Sequence, residues 1–226
     1  MGHEYIYCHR ALRQLANRLA EVGFPVLRFD FYGSGDSYGD LEDAELSQWQ
    51  RDVSSAIAEL QFRTSVTRIC LIGVRLGASL SLIAAAQEDG IDSLVLWDPI
   101  VRGESYLEEL RLLQKEALRR RPKSSLRKAT EDEVVGFPLS NVLRAEIHRL
   151  NLLAVEVKRE TKILTVQSDH SANYDPLRDH LLQHGIQFHH QQIQAPKVWL
   201  PTVDGSLLVP SQILRSVVSW TSSVQA

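Results

Sequence analysis

The chain has 226 residues, enough for one substantial core, so a single domain with an insertion is the expected organisation. Hydrophobic residues make up 44% and charged residues 23%, which is ordinary for a soluble globular protein, and the net charge of -3 offers no overall attraction to nucleic acid or to an anionic membrane. Cys8 and Cys70 are far apart and belong to no C-x-x-C pair, so neither a disulfide framework nor a zinc site is expected. No apolar run reaches membrane-spanning length and no signal-peptide core opens the chain. The expected setting is cytoplasmic, with no metal and no cofactor.

Residues 4–22 place Leu12, Leu15, Ala16 and Leu19 at helical spacing before Gly23. Residues 25–31 alternate among strand formers and predict the first clear strand. The glycine-rich loop 32–39 lacks the spacing of a phosphate loop, and a turn held by the side chains of Asp36 and Ser37 is expected instead. Residues 44–62 are helical, with Leu46, Trp49, Val53, Ile57 and Leu60 on one face.

The organising stretch is Arg68-Ile-Cys-Leu-Ile-Gly-Val-Arg-Leu-Gly-Ala-Ser-Leu80. Its continuous apolar run predicts a buried strand over 69–72, then a tight turn at 73–77 and a helix to about residue 88. The turn has G-x-S-x-G spacing, the pattern of a nucleophile elbow, with Arg75 in the serine's place. A third buried strand over 93–97 ends at Asp98-Pro99. Strands alternating with helices predict an α/β fold with a mostly parallel sheet flanked by helices.

From residue 103 the alternation stops. A helix over 104–121, a basic stretch and a second helical segment over 139–153 form an insertion of about residues 103–158, expected to cap the sheet. Its run Arg119-Arg-Arg-Pro-Lys123, with Arg127 and Lys128, reads either as a solvated face or as a dock for an acidic protein. A strand over 161–167, a helix over 175–184, a strand over 186–193 and a closing helix over 210–220 complete the chain. The loop 194–207 carries Trp199 and Asp204.

Four motifs carry a resemblance: Leu27-Arg-Phe-Asp-Phe-Tyr-Gly-Ser-Gly-Asp-Ser37, Trp49-x-x-Asp52-x-x-x-Ala56-Ile57, Val95-Leu-Trp-Asp-Pro99 and Gly136-Phe-Pro-Leu139. With the order of elements, they resemble the α/β-hydrolase superfamily, in particular serine-aminopeptidase-like members and the exosortase-associated hydrolases, where an R-L-G elbow recurs. The resemblance implies serine, acid and histidine in that chain order. The serine position holds Arg75, which can be neither deprotonated nor a nucleophile. The acid role falls on Asp169, with Asp98 as second candidate, and the loop 194–207 expected to supply the histidine contains none. His189 and His190 alternate to opposite faces of their strand.

The resemblance also implies a hairpin and a central strand before the first helix. Their absence from the sequence predicts either a late-starting chain or a sheet with an unusual edge.

Three functions remain open from sequence: an inactive hydrolase fold that binds a small anionic or acyl ligand, an esterase or thioesterase using another constellation, and an interaction protein. In the first, Arg75 either plugs the elbow in an ion pair with Asp98 or Asp169, or joins Leu76 at the helix N-terminus to bind an anion beside Trp199.

Overall fold

The computed structural model describes residues 1–120, 133–169, 173–200 and 208–225. The basic residues 121–128 and Asp204 lie outside the described residues.

Four parallel strands form the sheet: β1 (Ile69–Val74), β2 (Ile91–Trp97), β5 (Lys162–Gln167) and β6 (Gln187–Gln192), in the order β1-β2-β5-β6. Alternation along β2 and β5 divides two cores between the sheet faces. Val95, Trp97, Leu164 and Val166 pack with Leu15 of helix α1 (His3–Glu21) and Val217 of helix α7 (Ser211–Gln225). Leu94, Leu96 and Ile163 turn the other way, toward helices α2 (Leu46–Thr64), α3 (Leu76–Gln87) and α6 (Asp175–Gln183). Helix α7 runs five residues beyond the expected end at Trp220.

Between β2 and β5 come helix α4 (Gly103–Arg120), the short hairpin of β3 (Glu133–Val134) and β4 (Phe137–Pro138), and helix α5 (Asn141–Arg149). The neck of this insertion is stitched where it leaves and rejoins the sheet: Gly103 N–H donates to Leu150 at 2.8 Å and Leu152 N–H donates to Val101 at 2.9 Å. Gly103 is required by contact, because a Cβ there would lie 1.5 Å from the Ile147 carbonyl oxygen. Helix α5 also meets the start of α2, where the Glu146 carboxylate accepts the Leu46 N–H at 2.5 Å.

The expected strand at 25–31 does not form. The segment has no ladder partner among the described residues, and Val26, Leu27 and Phe29 are exposed. Its alternating sequence suits a strand, but a strand needs a neighbour, and none is adjacent. The same gap appears on β1, an edge strand with no partner opposite β2 among the described residues. Ile69 and Arg75 direct their N–H groups toward the β2 side, so Cys70, Ile72 and Val74, which alternate with them, turn theirs to the open edge.

The loop that follows is held by side chains other than those of Asp36 and Ser37. Asp30 accepts the Asp36 N–H, Asp52 accepts the Tyr32 N–H at 2.8 Å, and the Trp49 indole donates to the Tyr32 carbonyl. Two other carboxylates thus do what the turn's own side chains were expected to do.

Candidate functional site

Strand β1 delivers Arg75 at the carboxyl edge of the sheet, at the bend into α3. Its backbone has φ 55° and ψ -123°, a strained conformation for a residue with a side chain. The bend is this tight because Gly73 lets the strand pass close beneath the helix: a Cβ there would be 2.4 Å from the Ala78 nitrogen. Arg75 N–H donates to Trp97 at 2.9 Å, and Arg75 C=O accepts from Ala78 and Ser79, which fixes the elbow to β2 and to its own helix. The sequence therefore builds an elbow, with a cation at its apex.

The guanidinium is buried, with Arg75 only 7% exposed. The expected pairing with Asp98 or Asp169 is not what forms. Nε donates to Glu4 of α1 at 3.2 Å and Nη2 donates to Glu109 of α4 at 2.5 Å. Cζ also lies over two rings, 4.7 Å from the centroid of Trp199 and 5.5 Å from that of Tyr106. The reason is one of reach and placement: α1 and the insertion helix bring their carboxylates to either side of the guanidinium, whereas Asp98 and Asp169 are held by other groups.

Glu4 is the inner partner, 3% exposed, and also accepts the Tyr106 hydroxyl at 2.6 Å and the Met1 ammonium at 3.0 Å. Burial alone would raise its carboxyl pKa, but Met1, Arg75 and Tyr106 outweigh it and hold the group at about 2. Burial likewise opposes the charge on Arg75, and Glu4 and Glu109 more than compensate. Glu109 is the outer partner, its side chain 39% exposed.

Asp98 follows β2 with φ 44°. Its carboxylate accepts the Ser168 N–H at 3.2 Å and faces the Tyr174 hydroxyl at 3.4 Å. Burial pushes its pKa up, against the bonds from Ser168 and the charge of Arg75, while Asp169 adds to the rise. Asp169, just beyond β5, pairs with Lys197 at 3.0 Å. Leu76 occupies the first position of α3 and is buried, where first-turn N–H groups lack intrahelical acceptors. Trp199 is also buried, and its indole N–H has no acceptor among the described residues.

The serines near the elbow are committed elsewhere. Ser79 Oγ donates to the Ile100 carbonyl and accepts the Ile100 N–H, and Ser81 Oγ donates to Gly77. His189 packs against Trp220 and His190 against Phe188, on opposite faces of β6. Sequence reasoning missed Glu4, Tyr106, Glu109 and His3. His3 is buried, with Nε2 unpartnered among the described residues; burial lowers its pKa, as does the charge of Arg75. Helical spacing of Tyr106 and Glu109, three residues apart on α4, was the one available signal for a shared face.

Among the described residues no group of three His, Cys, Asp or Glu could hold a metal ion, and no helix is long and apolar enough to cross a membrane.

The family model for serine aminopeptidases (S33) matches residues 3–145. No curated protein matches the chain in sequence. Among solved structures, the chain is similar to Est1E from Butyrivibrio proteoclasticus with ferulic acid bound, at 20% identity and a TM-score of 0.67, covering 95% of this chain and 82% of that one. It is similar to an esterase from Pyrococcus furiosus at 16% identity and a TM-score of 0.58, covering 82% of this chain and 66% of that one. A structure from a study of carboxylesterases of the thaumarchaeon Nitrososphaera gargenis matches at 12% identity and a TM-score of 0.59, covering 98% of this chain and 86% of that one. At these identities the likeness is one of fold.

Proposed function

The chain belongs to the serine aminopeptidase (S33) family, and from that premise we propose that it is a non-hydrolytic α/β-hydrolase-fold protein that binds a small anionic or acyl ligand under its helical insertion. The observation that carries this reading is the state of the elbow. The apex is a buried arginine gripped by carboxylates from two other elements, not a hydroxyl next to a base. Guanidinium has no lone pair to offer at any accessible pH, so acyl transfer through this position has no nucleophile. Both candidate acids are engaged, Asp98 by Ser168 and Tyr174 and Asp169 by Lys197. What the elbow retains is a fixed cation at a helix N-terminus on the carboxyl edge of a parallel sheet, where such folds place their ligands. The test is labelling of the wild-type protein with a serine-directed fluorophosphonate. No covalent adduct is expected, and a stoichiometric adduct on any serine would overturn the reading.

One observation favours a second reading, hydrolysis by a different constellation. Asp98 is buried at the same edge with its carboxyl pKa raised, which suits proton transfer nearer neutrality than an ordinary aspartate. Ester turnover lost in both Asp98→Asn and Asp98→Ala would support it.

A further inference from the structure

We propose that Glu109 is an exchangeable partner of Arg75, and that a ligand carrying a single carboxylate binds by taking its place. This rests on the ligand-binding reading above and narrows it to one chemistry.

The two carboxylates on Arg75 are unequal. Glu4 is enclosed and held by Tyr106 as well as by the guanidinium, so it forms the permanent floor of the pair. Glu109 comes from the insertion helix with its side chain 39% exposed, and it accepts from Nη2. A long, partly solvated side chain can swing away at small cost, while a buried arginine cannot follow it. Nη1 has no acceptor among the described residues, so departure of Glu109 leaves both terminal nitrogens of the guanidinium available to a bidentate carboxylate.

A second group lies beside the guanidinium. Trp199 is 2% exposed, its ring lies 4.7 Å from Cζ of Arg75, and its indole N–H has no acceptor among the described residues. A buried donor without a partner is costly, and a ligand oxygen would satisfy it. Charge decides between classes of anion. Replacing one carboxylate by another leaves the balance around Glu4 and Asp98 unchanged, whereas a dianion adds a negative charge beside both. The rings of Tyr106 and Trp199 flank the guanidinium that such a carboxylate would meet.

Hexanoate is the probe, with hexanamide and inorganic phosphate as controls, in calorimetric titrations of wild type, Glu109→Gln, Arg75→Met and Trp199→Phe. Hexanoate should bind Glu109→Gln at least fivefold more tightly than wild type, hexanamide and phosphate should show no such gain, and Trp199→Phe should weaken hexanoate severalfold while keeping the ring. Equal or weaker hexanoate binding in Glu109→Gln overturns the proposal, as does a matching gain for phosphate. Arg75→Met should lose binding, provided its thermal melt shows a folded protein; if it does not fold, the half-exposed Glu109 variant decides alone. Turnover of p-nitrophenyl hexanoate by wild type would defeat the non-hydrolytic reading yet leave carboxylate exchange standing. Absence of both turnover and exchange would defeat only this inference.

Discussion

Arg75 and Glu109 meet at 2.5 Å and join the apex of the strand-to-helix bend to the insertion helix. With Glu4 on the inner side, the elbow becomes the junction of β1, α1 and α4. The ion pairs thus tie three elements together at the carboxyl edge of the sheet.

The two halves of the junction should differ in energetic weight. Glu4→Gln takes the enclosed carboxylate from both the Arg75 guanidinium and the Met1 ammonium, and should cost about 3–5 kcal/mol. Glu109→Gln, at a half-exposed site, should cost under about 1 kcal/mol. Urea denaturation of the two variants at neutral pH measures both, and equal losses would mean the inner pair has no special role.

Acid should reach the same junction. The Glu4 carboxyl titrates at about 2 in the folded chain, against an ordinary value of 4.5. A depressed carboxylate stabilises the fold fully above its unfolded value, and that stability is lost as pH falls from about 4.5 toward 2. Wild type should therefore lose stability through this window more steeply than Glu4→Gln, and parallel pH profiles would contradict the assignment.

Two glycines should respond in opposite directions. Gly103→Ala drives a methyl into the Ile147 carbonyl and should cost at least about 2 kcal/mol. Gly77 lies in the first turn of α3, and a methyl added there would meet nothing within 4 Å, so Gly77→Ala should be neutral or stabilise by about 0.5 kcal/mol. Thermal melts of both variants check the contrast.

Asp98 carries a structural load whatever else it does. Asp98→Ala removes the acceptor for Ser168 N–H and places an ordinary side chain at φ 44°, and should cost about 2–4 kcal/mol. Asp98→Asn keeps an acceptor oxygen and tolerates that backbone, so it should stay within about 1 kcal/mol of wild type. Chemical denaturation of both variants measures the difference, and similar losses would show that the negative charge itself is needed.

The sequence made the elbow legible because strand, bend and helix are local: the apolar run 69–72, the glycines at 73 and 77 and the small-residue helix all lie within twenty residues. Arg75 could be placed at the apex from spacing alone. Its partners could not, since Glu4 lies 71 residues away and Glu109 lies 34 away on an inserted helix. Asp98 and Asp169 looked like the natural counter-ions because they end neighbouring strands, but the backbone of Ser168 and the side chain of Lys197 hold them instead. Residues 25–31 show the converse error. Alternation gives the right local preference, and pairing depends on a neighbour that the segment's own residues do not encode.

The most direct measurement is steady-state turnover of p-nitrophenyl butyrate by Arg75→Ser, which restores a hydroxyl to the apex. With no base positioned to activate it among the described residues, the variant should hydrolyse the ester no faster than buffer. Saturable turnover by this variant, abolished by a second change at His3, would contradict the claim that the elbow lacks a catalytic partner.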